Sequence, residues 1–254
     1  MQLLYTAWVW IFGLLVTPVF GSLAILTSWV PPRGRTYQYW ARWWSRTLVW
    51  GAGLDVAVES SPAARGVPGA IFMANHTSAA DIVVLFIALA RDVRFVAKRE
   101  LFFVPFLGWS MWLAGFIPVD RENKDRAREA FDEIGKRLRR GVSILVFPEG
   151  TRSRDGRLGA FKRAGFLLAM RTGLPVVPVG ISGARAVLGA DGVLVRRGRI
   201  TVRVGDPVAP DGYDFALDGT IASGPQIVRF ANKSDQPHFI GTLTTPAPLT
   251  DDQL

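Results

Sequence analysis

The amino-acid sequence predicts an α/β fold: a mixed sheet flanked by helices, preceded by an N-terminal membrane-embedded helical segment. Three observations carry this. Short apolar runs bounded by turn residues alternate with stretches of helical period, the alternation that lays helices on a sheet. Between Met1 and Pro32 there is no charged side chain, and seven of the nine tryptophans lie in the first fifty residues. The 254 residues are enough for one sizeable domain with an appendage.

Leu3–Val30 is long enough to span or dip into a bilayer, since about 20 apolar residues cross one. A secretory signal fits poorly, because no basic region precedes the run, the run is too long, and no small-residue cleavage site is evident. Pro18 and Gly21 fall near its middle and permit a re-entrant hairpin as well as a full span. In Arg33–Gly53 arginines interleave with aromatics. On a helix Tyr37, Trp40, Trp44 and Leu48 form one line and Arg35, Arg42 and Arg46 fall off it. This predicts an interfacial helix, with tryptophan at the headgroup level and arginine on phosphates. A core helix with an aromatic face is the alternative. Arginines following the apolar run place the rest of the chain on the cytoplasmic side.

Gly66–Val67–Pro68–Gly69 is a turn cluster, and the apolar run Ala70–Ala74 after it reads as a buried strand. Ile82–Ala90 reads as a buried helix with Thr77 or Ser78 as N-cap. Arg94–Ala97 and Phe116–Val119 read as strands, and the aromatic run Leu101–Trp112 between them as a membrane-facing surface or the lining of an acyl passage. Lys124–Arg140 is a charged helix with one apolar stripe: Ala127, Ala130, Phe131, Ile134 and Leu138. Ser143–Phe147 is a buried strand, Lys162–Thr172 a helix, Pro175–Ile181 a short apolar run, and Arg199–Val204 alternates like a strand with one wet face.

Composition narrows the chemistry. With no cysteine, disulfides, thiolate zinc sites, iron–sulfur clusters and a cysteine nucleophile are excluded. Two histidines, His76 and His238, argue against a multi-histidine metal site, so no metal is expected. A net charge of +9 predicts attraction to anionic surfaces. The uncharged first 32 residues favour a lipid bilayer over nucleic acid as the anionic partner.

Four stretches fall at or just beyond the carboxyl ends of predicted strands, where ligand sites gather in open α/β sheets: NHTSAAD (75–81), GFIPVDR (115–121), FPEGTRS (147–153) and VVPVGI (176–181). Together they resemble the glycerophospholipid acyltransferase family, and within it the bacterial 1-acylglycerol-3-phosphate (lysophosphatidate) acyltransferases. His76 and Asp81 match the HxxxxD signature, with Asn75 before it; Arg121 closes the second block, Glu149, Gly150 and Arg152 fall in the third, and Pro178 in the fourth. KRELFFVPFLGW (98–109) also looks like the family, and the likeness covers roughly residues 1–210.

The chemistry asks for these residue types. Moving an acyl group from a thioester to an alcohol needs a base for the hydroxyl proton and support for a tetrahedral oxyanion. His76 suits the base, and Asp81 suits the fixing of its tautomer and the support of the imidazolium. The acceptor hydroxyl attacks directly, so no enzyme nucleophile is required, and Ser78 is read as a cap or hydrogen-bonding neighbour. Arg121 and Arg152 suit a phosphate monoester, because planar guanidinium binds it multidentately. Gly150 permits close backbone approach to that phosphate, and Glu149 is expected to hydrogen-bond the acceptor or orient the arginines. Asn75, Lys98, Thr151 and Lys162 are secondary candidates, and Pro178 is expected to shape the pocket wall.

The organisation expected is residues 1–53 as membrane and interfacial helices, 54–210 as the catalytic domain and 211–254 as an atypical tail. That tail carries prolines, short β-like runs and no helical stripe where the family has an amphipathic helix. Gln226–Ile240 looks like a fragment of a small cupredoxin-like sandwich, but one histidine, no cysteine and no methionine argue against copper there. The resemblance implies acylation of lysophosphatidate to phosphatidate at the cytoplasmic face of the inner membrane. Acyl-CoA or acyl-carrier protein would be the donor, and no cofactor is needed. Glycerol 3-phosphate or a lyso-aminolipid as acceptor is the alternative within the superfamily. From another class, a non-catalytic module binding anionic lipid explains Arg33–Trp50 but leaves His76–Asp81 and FPEGTRS without a purpose.

Overall fold

The computed structural model describes residues 1–30, 35–89, 91–119, 142–162, 164–189 and 192–209. Arg121, the helix expected over Lys124–Arg140 and the tail 211–254 lie outside the described residues. The strands are β1 (Asp55–Ser60), β2 (Ile71–Ala74), β3 (Val93–Lys98), β4 (Ile117–Val119), β5 (Ser143–Val146), β6 (Val176–Ser182) and β7 (Arg199–Val204). They form one mixed sheet in the order β1-β7-β6-β2-β5-β3-β4. Neighbours run parallel except β6 and β7, which are antiparallel.

Strand β2 lies at the centre, with Phe72 beside Leu145 of β5 and Val177 of β6. Its four residues are all buried, as are those of β5. Helices cover both faces of a parallel sheet, so such strands read as continuous apolar runs rather than alternating ones. Successive residues still divide between the faces. Phe72 and Ala74 join a core with Leu85 and Phe86 of α4 (Ala80–Ala88), whereas Ile71 and Met73 join one with Phe166 and Leu168 of α6 (Ala164–Thr172).

Helix α1 (Gln2–Leu26) continues unbroken through Pro18 and is long and apolar enough to cross a membrane. The hydroxyl of Thr17 donates to the carbonyl of Gly13 (2.7 Å) and accepts from Trp44 Nε1 (3.1 Å), adding polar contacts beside the proline. Helix α2 (Arg35–Gly51) runs back along α1. Tyr5 donates to the carbonyl of Ala52 (2.6 Å), Trp8 to that of Gly51 (2.9 Å), and Trp40 to the hydroxyl of Thr27 (3.0 Å). Leu3, Leu4, Leu14 and Leu15 of α1 remain exposed.

The face of α2 differs from expectation. The line through Tyr37, Trp40, Trp44 and Leu48 turns toward the protein, as the core-helix alternative has it. Tyr37 is buried against Phe86 and Phe116, and Trp44 packs edge-on against Phe86. The outward stripe is Tyr39, Trp43, Arg46 and Trp50, with the Arg46 guanidinium over the Trp43 ring. Two aromatic stripes share this helix, and the sheet claims one because α4 and the start of β4 leave an apolar hollow beneath it.

The aromatic run after β3 forms a 3-10 turn (Arg99–Phe103) and α5 (Leu107–Leu113). Phe103, Trp109 and Trp112 point outward, while Leu107 and Ser110 line a shallow, open cleft with Thr17, Phe20, Tyr37 and Trp40. Two further short helices, α3 (Pro62–Gly66) and α7 (Ala184–Val187), close the connections.

Candidate active site

Strands β2, β3, β4, β5 and β6 run in one direction and end at the same edge of the sheet, where β2 and β5 are neighbours. The segments leaving their carboxyl ends, Asn75–Ala79 and Phe147–Lys162, are thereby brought together. Asn75 bridges the other way. Its side-chain amide donates to the carbonyl of Ile181 in β6 (2.9 Å) and its oxygen accepts that residue's N–H (2.7 Å). Asparagine here extends the β2–β6 pairing by one side chain, which fixes where the chain turns off the strand.

The turn brings two residues five apart into contact. Helix α4 starts at Ala80, so Asp81 sits in its first turn and faces back toward the loop. Its Oδ2 accepts from the backbone amides of Thr77 and Ser78 and from His76 Nδ1, all at 2.8 Å. The expected side-chain N-cap is displaced: the capping position is Ala79, and Ser78 Oγ accepts from the amide of Ala80 (3.0 Å). Asp81 is wholly buried and His76 nearly so. Since Oδ2 already accepts two N–H groups, Nδ1 donates to it, which leaves the Nε2 lone pair as the basic position. The imidazole lies flat on Phe147, centroids 4.0 Å apart.

Glu149 does something the sequence reading did not anticipate. Neither oxygen is bonded to an arginine among the described residues: Oε1 accepts the backbone amide of His76 (2.8 Å) and Oε2 that of Gly159 (2.9 Å). Burial pushes its carboxyl above the usual range, while these amides pull it down. A carboxylate spanning two loops ties the histidine's backbone to the PEGTRS segment. Ser153 adds a second tie by donating its amide to the His76 carbonyl (2.8 Å).

The candidate phosphate groups cluster around this segment. Gly150 has φ +76°, and a Cβ there would meet Lys162 Nζ at 2.7 Å, so the ammonium lies directly over the glycine. Arg152 is exposed one residue before Ser153, with Nη1 beside Gly192, and Thr151 is exposed next to it. Lys98 is exposed at the end of β3 and is paired with Glu100 (3.1 Å). Pro178 lies inside β6 opposite Met73 and packs on Gly205 where β7 has ended, rather than at the mouth of the site. No group of three or more His, Cys, Asp or Glu able to hold a metal occurs among the described residues. Sequence reading missed the amide pair on Glu149 and the Phe147 platform; a backbone donor leaves no trace in residue type.

The chain belongs to the Acyltransferase family, whose model matches residues 55–182. It is 33% identical over 150 residues to the chloroplastic 1-acyl-sn-glycerol-3-phosphate acyltransferase of Brassica napus, covering 58% of this chain and 43% of that one. To the 1-acyl-sn-glycerol-3-phosphate acyltransferase of Haemophilus influenzae it is 30% identical over 174 residues, covering 68% and 71%. The crystal structure of the 1-acyl-sn-glycerophosphate acyltransferase of Thermotoga maritima superposes with a TM-score of 0.74 at 26% identity, over 84% of this chain and 87% of that one. The chain spans about half the length of several of the curated relatives it matches.

Proposed function

We propose that this protein transfers a fatty acyl group from an acyl thioester, acyl-CoA or acyl-carrier protein, to the free hydroxyl of 1-acylglycerol 3-phosphate, giving phosphatidate. The observation that carries the reading is the 2.8 Å His76–Asp81 contact, which leaves Nε2 as the base. Nε2 takes the acceptor hydroxyl's proton as its oxygen attacks the thioester carbonyl. The tetrahedral intermediate collapses, the C–S bond breaks, and the proton returns from His76 to the leaving thiolate. Asp81 holds the ring and supports the imidazolium between these steps. The acceptor phosphate lies against Gly150, Lys162 and Arg152, with Arg121 completing the set. The apolar cleft between α1, α2 and α5 suits an acyl chain.

The names carried by the relatives support lysophosphatidate as acceptor. Helix α1 supports attachment to a membrane. At 1.5 Å per residue its 25 residues span about 38 Å, and Gln2, Tyr5, Thr17 and the capping Thr27 are bonded to Val195, Ala52, Trp44 and Trp40. We therefore read it as lying along the catalytic domain in the cytoplasmic leaflet of the inner membrane. The test is a thin-layer assay of purified protein with labelled acyl-CoA or acyl-carrier protein. Lysophosphatidate, glycerol 3-phosphate, a lyso-aminolipid and monoacylglycerol serve as acceptors. Labelled phosphatidate from lysophosphatidate alone is expected; labelling of another acceptor in preference would replace the reading.

A further inference from the structure

The segment Gly192–Arg197 is absorbed by neither the sheet nor the His–Asp site. An antiparallel bridge between Leu188 and Val195 shapes it, and Arg196 donates its amide to Val187 (2.7 Å). Its tip is apolar and open: Val193 is 61% exposed and Leu194 39%. Two exposed arginines follow. The first three turns of α1 hold this tip by its backbone. Trp10 Nε1 donates to the carbonyl of Val193 (3.0 Å), Gln2 to that of Val195, and the Thr6 hydroxyl exchanges bonds with both N–H and C=O of Val195 (3.3 and 3.4 Å). The Arg197 guanidinium lies over the Tyr5 ring, 5.4 Å from its centroid, and the side chain is exposed.

We propose that Gly192–Arg197 is a second contact with an anionic bilayer: Val193 and Leu194 enter the headgroup–acyl boundary, and Arg196 and Arg197 engage lipid phosphates. The apolar tip lies beside exposed Trp10 of α1, whose indole bonds the Val193 carbonyl. An apolar tip followed by long cationic side chains is the pattern that inserts shallowly and snorkels its charges to the phosphates. An acidic carrier protein would match the arginines but leave Val193 and Leu194 against a polar surface, so the bilayer is favoured. Because Arg152 Nη1 lies beside Gly192, the contact sets the phosphate end of the active site at headgroup height. This inference rests on the membrane reading of α1.

The chain has no cysteine, so single-cysteine labelling is clean. Val193→Cys, Leu14→Cys and Met170→Cys, each full length and carrying an environment-sensitive fluorophore, are placed in vesicles of phosphatidylcholine with phosphatidylglycerol and in vesicles of phosphatidylcholine alone. Nitroxide-labelled lipids read depth. Leu14 should report lipid and Met170, exposed on α6 across the sheet, should report water. Val193 should report the boundary, more so in anionic vesicles. Arg196→Ala with Arg197→Ala should remove that anionic preference, at about five-fold in the ratio of inserted to free tip per arginine. A Val193 probe in water while Leu14 is in lipid overturns the inference and leaves the reading of α1 standing; both in water overturns both. A double-arginine variant whose probe is unchanged in either vesicle, but whose KM for an acyl-carrier-protein donor rises, makes the segment a protein-docking surface and overturns the lipid assignment.

Discussion

Asp81→Asn tests the site most directly, because the structure separates what the substitution keeps from what it removes. The replacement is nearly isosteric. Its carbonyl oxygen can occupy the Oδ2 position and still accept from Thr77, Ser78 and His76 Nδ1, so the ring tautomer survives. Its NH₂ then takes the place of Oδ1, which is buried and has no partner among the described residues. That buried donor costs on the order of 1–3 kcal/mol of stability. What disappears is the charge facing the imidazolium. At 2.8 Å and an effective dielectric constant of ~20, the attraction is about 6 kcal/mol. If the transition state has moved half of the proton, about 3 kcal/mol is lost, or roughly 150-fold in rate. The assay is kcat at saturating lysophosphatidate and acyl donor, alongside Tm by calorimetry. The expected result is a folded variant, a few degrees less stable, with kcat down about 100-fold or more. A folded variant within three-fold of the parent's kcat would refute the imidazolium argument and with it the assignment of His76 as base.

The remaining predictions concern the loop opposite. Burial raises the folded-state pKa of Glu149 above its ordinary value of 4.5, so the folded protein holds that proton more tightly than the unfolded chain. Its contribution is fully present below that value and is lost as pH rises through the folded pKa, so Tm of the parent minus that of Glu149→Gln should fall across the window; a flat difference contradicts the burial argument. Arg152→Ala should raise KM for lysophosphatidate by roughly 10- to 150-fold with a smaller effect on the donor, and lysine should rescue only partly. Equal loss with monoacylglycerol would mean that Arg152 does not read the phosphate. Gly150→Ala must hold a left-handed φ, costing about 1–2 kcal/mol, and must displace the Lys162 ammonium. Its KM for the phosphorylated acceptor should rise while the chain stays folded, and an unchanged KM would separate Lys162 from the site.

How much of this was legible depended on where each residue's partner lay. The buried strands Ile71–Ala74 and Ser143–Val146 were visible because both faces are covered and the run between turns is wholly apolar. Strand Asp55–Ser60 was not, because it pairs only with Arg199–Val204 at the sheet's rim and has no fully buried residue to make an apolar run. The stripe on the second helix faced the wrong way for a related reason: a row of aromatics reads the same whether lipid or a protein core receives it, and only the packing of Phe86 and Phe116 against Tyr37 decides. His76 and Asp81 were readable as a pair because their side chains meet. The ties from Glu149 were not legible because its partners among the described residues are the amides of His76 and Gly159, which any residue supplies.

The bond from the amide of His76 to Glu149 spans 73 residues. During synthesis the apolar first helix leaves the ribosome long before the strand that precedes the glutamate. The histidine's loop stays unanchored until that later strand has slotted beside its partner, a long-range pairing of the kind that forms slowly. The backbone at His76 is therefore fixed only after the chain has been made as far as Glu149.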